Sequence, residues 1–324
     1  MTSRARQFRR RPVTIAHRGA CAYLPEHSLA AKALAFGMGA DFLEQDVVAT
    51  ADDRLIVLHD IHLDGVTNVE SRFPDRQRTD GSFYARDFTL AEIQTLQLTE
   101  RRGADGKRVF PDRYPAGVTP FRVPTLSEEL SLVRGLNQST GRQVGIYPEI
   151  KKPAWHREEG VDIAPLLLAE LETFDYHDTV DQVWLQCFDL NENRRLRQHW
   201  RAPYRLVQLI GEDAWNESST LYRPLLAPGG LVPLKGIVDA IGPWISQLYL
   251  QNGATGVLGT HLIEEAHALG LSVHPYTLRA DNLPAGFDSL EALLSWLVAE
   301  GIDGIFSDFP DRVVRYFDGL ALAL

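Results

Sequence analysis

The sequence predicts a TIM (β/α)8 barrel with an inserted cap subdomain. Eight short apolar runs alternate with helix-like segments along the chain, a pattern typical of parallel strands joined by helices. The chain has 324 residues, enough for a barrel of about 250 residues plus an insertion. No G-x-G-x-x-G or G-x-x-x-x-G-K-[ST] motif follows the first strand, which disfavours the open nucleotide-binding sheets.

The first elements set the alternation. Val13–Ala16 is a β-branched run before a turn, and a helical pattern begins after Ser28 and ends at Gly37. Residues 42–48 and 55–58 each have the composition of a strand. Because only a short turn separates these two strands, we predict a hairpin-like extension rather than a parallel crossover.

The later elements repeat the same pattern. We predict strands at residues 144–150, 183–187, 205–210, 240–244, 272–276 and 304–307. We predict helices at residues 125–136, 161–174, 189–198, 231–239, 260–269, 288–299 and 311–318. Together with the first elements, these give eight barrel strands and eight helices, the hairpin strand being additional.

Residues 62–123 interrupt the alternation. They are rich in Arg, Asp, Gly, Pro and Phe and contain one helix-like piece at residues 90–98. A structureless loop of this length is unusual inside a compact domain, so we predict an inserted subdomain or cap, with a mobile surface excursion as the alternative. The single barrel domain is expected to span residues 13–318, after a basic, disordered N-terminus at residues 1–12.

The composition limits the partners. The chain is 44% hydrophobic and 23% charged, with a net charge of -10. An acidic chain disfavours nucleic acid as a partner, because phosphate backbones attract positive surfaces. Cys21 and Cys187 are too few for a disulfide scaffold. No run of apolar residues is long enough for a transmembrane helix, and the arginine-rich start lacks the apolar segment of a signal peptide.

Three carboxylates form the first candidate site. Glu44 and Asp46 lie two apart in a predicted strand, so both side chains point to the same face. They repel each other unless one is protonated or a cation lies between them. Glu149 arrives at the end of the next barrel strand, and an all-oxygen ligand set favours Ca²⁺ or Mg²⁺ over zinc. Ion pairing of this cluster with Arg18 and Lys151 is the alternative.

Two histidines form the second candidate site. His17 and His59 each follow an apolar strand directly. Imidazole titrates near neutral pH, so a pair can supply a general base and a general acid. Arg18 and Lys151 add positive charge beside them. Such a set suits an anion whose charge grows in the transition state, as in phosphodiester cleavage.

Ordered short motifs make the sequence similar to a known family. The first group is HRGA at 17–20, PEHS at 25–28, LEQD at 43–46, LHD at 58–60 and PEIK at 148–151. The second group is VTNV and RFPDR in the insert, DFTLAEIQTL at 87–96, LQCFD at 185–189, VHPYTLR at 273–279 and GIFSDFPD at 304–311. Over about residues 13–318, the chain resembles the glycerophosphodiester phosphodiesterase family, in its longer periplasmic bacterial branch.

This resemblance implies an enzyme that releases sn-glycerol 3-phosphate and an alcohol from deacylated phospholipids, such as glycerophosphocholine and glycerophosphoethanolamine. The chain's matching residues are then the metal ligands Glu44, Asp46 and Glu149, the acid/base pair His17 and His59, the phosphate-contacting Arg18, and Lys151 beside the metal. The resemblance implies Ca²⁺, with Mg²⁺ less favoured. It also implies a periplasmic enzyme, whereas a complete chain without an export signal would be cytoplasmic.

The expected reaction begins with attack of the adjacent glycerol hydroxyl on phosphorus and forms a cyclic phosphate. His17 is assigned as the base and His59 as the acid. Among Phe188, Trp244 and Tyr276, which lie at strand ends, Phe188 is our predicted substrate contact.

Four questions stay open at this point. A phospholipase acting on intact lipid, a teichoic acid hydrolase, and a binding protein for phosphodiesters or calcium are the alternatives. The expected partners are small-molecule glycerophosphodiesters, without stable membrane association. A homodimer, the preferred alcohol and the role of Cys21 are unassigned.

Overall fold

Eight parallel strands in a ring form the centre of the computed structural model, which describes residues 11–103, 105–115, 119–252 and 256–322. The predicted N-terminus at residues 1–12 lies almost entirely outside the described residues. The strands of the described residues are β1 Val13–Ala16, β2 Phe42–Ala49, β3 Leu55–Val57, β4 Gly145–Ile150, β5 Trp184–Cys187, β6 Arg205–Ile210, β7 Ala240–Pro243, β8 Tyr249–Asn252, β9 Gly256–Gly259, β10 Ser272–Val273 and β11 Gly304–Ser307. All of them except β3, β8 and β9 belong to the ring.

The ring closes between its first and last strands. The order of hydrogen-bonded neighbours is β10-β7-β6-β5-β4-β2-β1-β11. Backbone hydrogen bonds from Asp303 to Val273 (3.0 Å) and from Leu278 to Phe306 (2.8 Å) join β11 to the segment that follows β10. The predicted TIM barrel is confirmed. Within the ring, β1 pairs directly with β11, so the ends of these two strands lie side by side although almost the whole chain separates them.

Helices surround the ring. They are α1 Leu29–Gly37, α2 Val69–Arg72, α3 Leu90–Ile93, α4 Leu126–Thr140, α5 Pro153–Glu158, α6 Ile163–Thr173, α7 Leu190–Arg194, α8 Leu262–Ala268, α9 Leu290–Glu300 and α10 Pro310–Leu322. Local chemistry fixes their ends. For example, Thr125 and Glu128 form a capping box at the start of α4, and Gly141 ends that helix with φ 73°, as expected for these residue types.

Side chains pack in three layers. Ile15, Tyr147, Trp184, Val207 and Phe306 fill the inside of the barrel. A larger apolar layer lies between the sheet and the helices. The third layer belongs to the insert, and the β2–β3 hairpin separates it from the second, since successive residues of a strand face opposite sides.

The hairpin therefore supports the insert. Val47 and Val57 face the apolar layer between the sheet and the helices. Val48 and Ile56 face the opposite way, toward the buried side chains of residues 62–123, which include Leu63, Val66, Phe83, Phe88 and Leu98. The predicted hairpin is confirmed by the antiparallel pairing of β2 with β3. The described part of the insert contains α2, α3 and two short 3₁₀ turns, packed on a core of its own.

Two regions differ from the sequence prediction. The predicted helix at residues 231–239 is wrong, because only a 3₁₀ turn, Val232–Leu234, forms there. The preceding Pro-Gly-Gly at residues 228–230 and the proline inside the turn disfavour a longer helix. The sequence prediction also missed α5, which begins at a proline in the first helical position, and the β8–β9 hairpin.

Candidate active site

A cavity of about 330 Å³ opens at the C-terminal ends of the barrel strands, the end at which active sites of this fold are built. All eight residues that the sequence predicted for the site lie in its wall. They are His17, Arg18, Glu44, Asp46, His59, Glu149, Lys151 and Phe188. None of the described residues of the insert lines this cavity.

Strand register brings the carboxylates together. Asp46 of β2 pairs directly with Glu149 of β4, and Glu149 pairs with Gln186 of β5. Glu44 precedes Asp46 by two residues on β2, so its side chain lies on the same face of the strand. One oxygen from each of the three carboxylates lies within 4.8 Å of the others, and all three groups are buried.

The turn after β1 and strand β5 each supply one donor to this cluster. The Arg18 backbone N–H donates to Glu44 Oε2 at 2.8 Å, and the amide of Gln186 donates to Glu44 Oε1 at 2.9 Å. The turn needs glycine at position 19, where φ is 85° and a Cβ would lie 2.8 Å from the Ala31 carbonyl carbon. This close approach packs the turn against α1 and directs Arg18 into the cavity.

The charges of the cluster are only partly balanced. Lys151 Nζ lies 2.7 Å from Glu149 Oε1, and His27 Nε2 lies 2.6 Å from Asp46 Oδ2. Burial, reinforced by the other carboxylates, raises the pKa of Glu44 and raises that of Glu149 further. Burial also acts to raise the pKa of Asp46, but His27 and Lys151 outweigh it and hold this pKa well below the usual range.

The residues fit a hard divalent cation. Asp46 Oδ1 is buried without a hydrogen-bond partner among the described residues, which is costly unless a ligand satisfies it. Three converging carboxylate oxygens form the ligand set that Ca²⁺ and Mg²⁺ prefer. A bound cation would also relieve the repulsion that raises the pKa values of Glu44 and Glu149.

Each candidate histidine is held by its own aspartate. His17 Nδ1 lies 2.5 Å from Asp308 Oδ1, and His59 Nδ1 lies 2.7 Å from Asp60 Oδ1. Burial opposes ionisation of both aspartates, but their cationic neighbours hold both pKa values well below the usual range. An ionised carboxylate only accepts hydrogen bonds, so Nδ1 carries the proton in both histidines. Nε2 is the nitrogen left for substrate.

Burial favours the neutral form of both histidines. Burial, followed by nearby cationic groups that include Arg18, lowers the pKa of His59. Burial also lowers the pKa of His17, although Glu44 and Asp308 act in the opposite direction. The His17 side chain is 9% exposed and that of His59 is 27% exposed. His17 therefore lies deeper, and its Nε2 is 3.9 Å from Glu44 Oε2.

Sequence reasoning missed the partners of these side chains. Asp60 follows His59 directly and could have been found by proximity. Asp308 is distant from His17 in sequence, but β1 pairs with β11 in the ring, so closure of the predicted barrel already implied their contact. Gln186 and His27 gave no comparable signal, because an isolated glutamine or histidine is common in any chain.

An aromatic wall borders the cavity on the β5–β7 side. Phe188 lies 5.9 Å from Tyr276 between ring centroids, and Trp215 lies 5.4 Å from Trp244. Lys151 Nζ is 5.7 Å from the centre of the Phe188 ring. Phe188 thus connects the charged part of the cavity with its apolar side, which can contact carbon atoms of a bound molecule.

The fold and the site define a barrel protein whose cavity brings a candidate metal-binding cluster of carboxylates together with two histidines. The description of the Glycerophosphoryl diester phosphodiesterase family matches residues 17–312, and the chain belongs to this family. The resemblance to this family that the sequence motifs indicated is confirmed. Members of this family are phosphoric diester hydrolases.

Individual relatives agree with this assignment. A glycerophosphodiester phosphodiesterase of Haemophilus influenzae is 39% identical, over 97% of this chain and 92% of the relative. One from Treponema pallidum is 36% identical, over 93% and 90%. An Oleispira antarctica phosphodiesterase, solved in complex with the product sn-glycerol-3-phosphate, is 19% identical with a TM-score of 0.64, over 95% of this chain and 97% of that one. The last likeness concerns the fold alone.

Proposed function

We propose that the protein hydrolyses glycerophosphodiesters such as glycerophosphocholine and glycerophosphoethanolamine to sn-glycerol 3-phosphate and an alcohol. The observation that carries this proposal is the convergence of two aspartate-held histidines on a buried carboxylate cluster within one cavity. Membership of the phosphodiesterase family and the names of the relatives support the same substrate class.

Arg18 and Lys151 bind the phosphate in this proposal. The Arg18 Nη1 atom is held by Glu26 at 3.0 Å, whereas its Nε atom is buried without a hydrogen-bond partner among the described residues. That donor lies 3.7 Å from Asp46 Oδ2, and in this proposal it binds a phosphate oxygen. The Lys151 ammonium group adds positive charge from the other side of the carboxylates. Burial acts to lower the pKa of Lys151, but Glu149 and Asp46 outweigh it and raise this pKa, so the lysine stays protonated.

Glu44, Asp46 and Glu149 are the residues that would hold the divalent ion. When bound, such an ion neutralises charge on phosphate oxygens. Calcium is our proposal, because carboxylate oxygens without nitrogen or sulfur ligands suit it. Magnesium remains the alternative, and calorimetric titration of chelator-treated protein with each ion separates the two.

The two histidines transfer the protons. His17 removes the proton from the glycerol hydroxyl adjacent to the phosphate ester, and that oxygen forms a bond to phosphorus. His59 acts in its doubly protonated form: it gives the Nε2 proton to the departing alcohol oxygen as the bond between that oxygen and phosphorus breaks, and it keeps the Nδ1 proton bound to Asp60. Water then opens the cyclic phosphate with the two roles reversed. The deeper position of His17 and the more exposed position of His59 support this order, since the alcohol leaves toward solvent.

One assay tests the function. Glycerophosphocholine, intact phosphatidylcholine and polymeric glycerol phosphate are supplied separately, with and without a chelator. Glycerol 3-phosphate, choline and phosphocholine are measured. We expect release from glycerophosphocholine, loss of release on chelation and recovery with calcium. Turnover of intact lipid alone would indicate a phospholipase, and turnover of the polymer alone a teichoic acid hydrolase. Binding without turnover of any substrate would indicate a binding protein.

A second substrate tests the cyclic intermediate. A diester whose glycerol lacks the hydroxyl adjacent to the phosphate cannot supply the internal nucleophile, which lowers the entropic part of the barrier. We expect this deoxy analogue to bind and to react very slowly. Reaction at the normal rate would exclude the internal attack while leaving the phosphodiesterase assignment intact.

The cellular compartment and the oligomeric state of the protein are two further questions. Among the described residues, no helix is long and apolar enough to cross a membrane. The periplasm is our proposed compartment, supported by the resemblance to the longer bacterial branch, and cell fractionation tests it. Light scattering of the purified protein decides between a monomer and the homodimer that we left open.

A further inference from the structure

One loop of the insert reaches the back of both histidine sites. The backbone N–H of Val109 donates to the Arg101 carbonyl at 3.0 Å, and Arg102 and Arg108 form an antiparallel bridge. The described residues of the segment 101–113 thus form a folded-back loop. Its first arginine, Arg101, and its last, Arg113, point toward the barrel from outside the cavity.

Arg101 binds the residues behind His59 and Arg18. Its Nη1 donates to Asp60 Oδ2 at 2.6 Å, and Asp60 accepts the proton of His59 through its other oxygen. Its Nε and Nη2 donate to Glu26 at 2.7 and 2.6 Å, and Glu26 holds Arg18. A single guanidinium therefore fixes the partner of a histidine and the partner of a phosphate-binding arginine.

Arg113 does the same for the other histidine. Its Nη2 donates to Asp308 Oδ2 at 2.7 Å, and Asp308 accepts the proton of His17 through its other oxygen. Nε and Nη2 also donate to Asp281 at 2.8 and 3.0 Å. The Arg113 side chain is 5% exposed, with its guanidinium carbon 3.5 Å from the centre of the Phe110 ring, so its orientation is fixed by packing as well as charge.

We propose that Arg101 and Arg113 are positioning residues that orient His59 and His17 through Asp60 and Asp308, which makes the insert a clamp on the acid/base pair rather than a cap on the cavity. The proposal rests on the proposed function, since it assigns these histidines to proton transfer. Arg101 binds the second oxygen of Asp60, and Arg113 binds the second oxygen of Asp308 together with Arg279. These contacts restrict the orientation of each aspartate. A planar, forked donor is suited to this task.

The insert contains a matched control. Arg78 donates to Asp87 at 2.7 Å and to Glu159 at 2.8 Å, so it also joins the insert to the barrel through a two-carboxylate ion pair. Neither carboxylate contacts a histidine of the site. Arg78→Ala removes an anchor of similar chemistry and reports how much activity depends on attachment of the insert alone.

The first experiment compares Arg101→Ala, Arg113→Ala and Arg78→Ala in the full chain. We expect the first two to lower kcat by about 10- to 100-fold, as for other groups that orient a catalytic histidine from behind, with little change in KM. Arg78→Ala should retain the wild-type kcat. Added guanidinium and the Arg→Lys variants should restore part of the lost kcat. Wild-type kcat in both alanine variants, or an equal loss in Arg78→Ala, would overturn the proposal.

We expect the Arg113→Ala variant to fold. Asp308 keeps a second partner, Arg279, whose Nε lies 2.8 Å from Oδ2, so Arg113→Ala leaves no unpaired buried carboxylate at that position. Circular dichroism and thermal unfolding of each variant are measured beside the kinetics. Arg101→Lys takes the place of Arg101→Ala if the alanine variant does not fold.

A second experiment is independent of turnover. Long-range ¹H–¹⁵N NMR of histidine-labelled protein reports which ring nitrogen carries the proton. We expect His17 and His59 to show a single Nδ1–H tautomer in the wild type, and His17 to lose it in Arg113→Ala. Unchanged tautomers would overturn the positioning role. If the wild type turns over no phosphodiester, the proposed function fails, while this spectrum still tests the contact.

Discussion

The two ends of the barrel each bury a histidine, but under different conditions. At the C-terminal end, His17 binds Asp308 through Nδ1 and turns Nε2 toward the cavity. At the N-terminal end, His274 Nδ1 shares a hydrogen bond of 2.7 Å with the Tyr147 hydroxyl group, and its ring centroid lies 4.8 Å from that of Trp184. One histidine has a nitrogen available for chemistry, whereas the other is held by an aromatic core.

The charged groups at the two ends show the same difference. The cavity at the N-terminal end is larger, about 650 Å³, yet its aspartates are paired. Asp41 binds Arg11 at 2.9 Å and Asp303 binds His267 at 2.9 Å. At the C-terminal end, Lys151 pairs with Glu149, and Asp46 Oδ2 contacts His27 and lies 3.7 Å from Arg18 Nε. Asp46 Oδ1 nevertheless has no hydrogen-bond partner among the described residues. Unbalanced buried charge, rather than cavity volume, therefore distinguishes the functional end.

The largest expected effect is on turnover. His17→Ala removes the proposed base and should lower kcat by roughly 10²- to 10⁴-fold, while calorimetry should still detect the metal, because His17 is not among the three carboxylate ligands. His274→Gln is the matched change at the other end of the barrel and should keep the wild-type kcat. Equal losses in the two variants would remove the functional distinction between the ends.

The next effect has opposite signs for binding and stability. Glu44→Gln removes a proposed ligand and a repelling charge in one change. We expect metal affinity to fall by at least about 10-fold. The metal-free protein should become more stable, because burial and neighbouring carboxylates already oppose ionisation of Glu44. Calorimetry with calcium and thermal unfolding in chelator measure the two effects. A metal-free variant less stable than the wild type would mean that the carboxylate is a structural element.

The sequence predicted more of the strand ends than of their supports. Glu44, Asp46 and Glu149 could be placed together because side-chain alternation and parallel order follow from residue type and spacing. Asp308 could have been added from barrel closure, since β1 and β11 are neighbours. Arg113 could not, because no rule links a loop residue of the insert to a strand end. Its position depends on packing of the whole insert.

The fold shows the same limit. β1, β6 and β11 agree with prediction to the residue, because each is a short, largely apolar run bounded by turn residues. The false helix at residues 231–239 had apolar spacing that suits a helix, but its prolines and glycines determined the local backbone. Periodicity identified elements whose burial is regular. It did not identify segments whose conformation depends on turn chemistry.

The third effect is on the pH dependence of stability. Burial lowers the pKa of His274 to about 4, below its unfolded value of about 6.5. The unfolded state then binds the extra proton between these values, so this stabilisation is complete above pH ~6.5 and is lost as pH falls toward ~4. In His274→Gln, the loss of unfolding free energy between pH ~7.5 and ~5 should be smaller by about 2 kcal/mol. Denaturant unfolding at both pH values measures it, and an unchanged difference would mean that His274 is not held neutral.

The smallest effect is expected for an arginine at the N-terminal end. Arg205 pairs with Asp181 at 2.6 Å, but the two side chains are 42% and 83% exposed, and its guanidinium carbon lies 5.0 Å from the Trp184 ring centre. Exposed pairs and exposed cation–π contacts are each worth about 1 kcal/mol or less. Arg205→Gln removes both contacts and should therefore lower the unfolding free energy by about 2 kcal/mol at most. It should leave kcat unchanged. Arg113, whose partner Asp308 is 1% exposed, is the opposite case, because there the loss should appear in kcat. A large loss of activity in Arg205→Gln would show that the N-terminal end contributes to turnover, and unbalanced charge would then no longer be sufficient to separate the two ends.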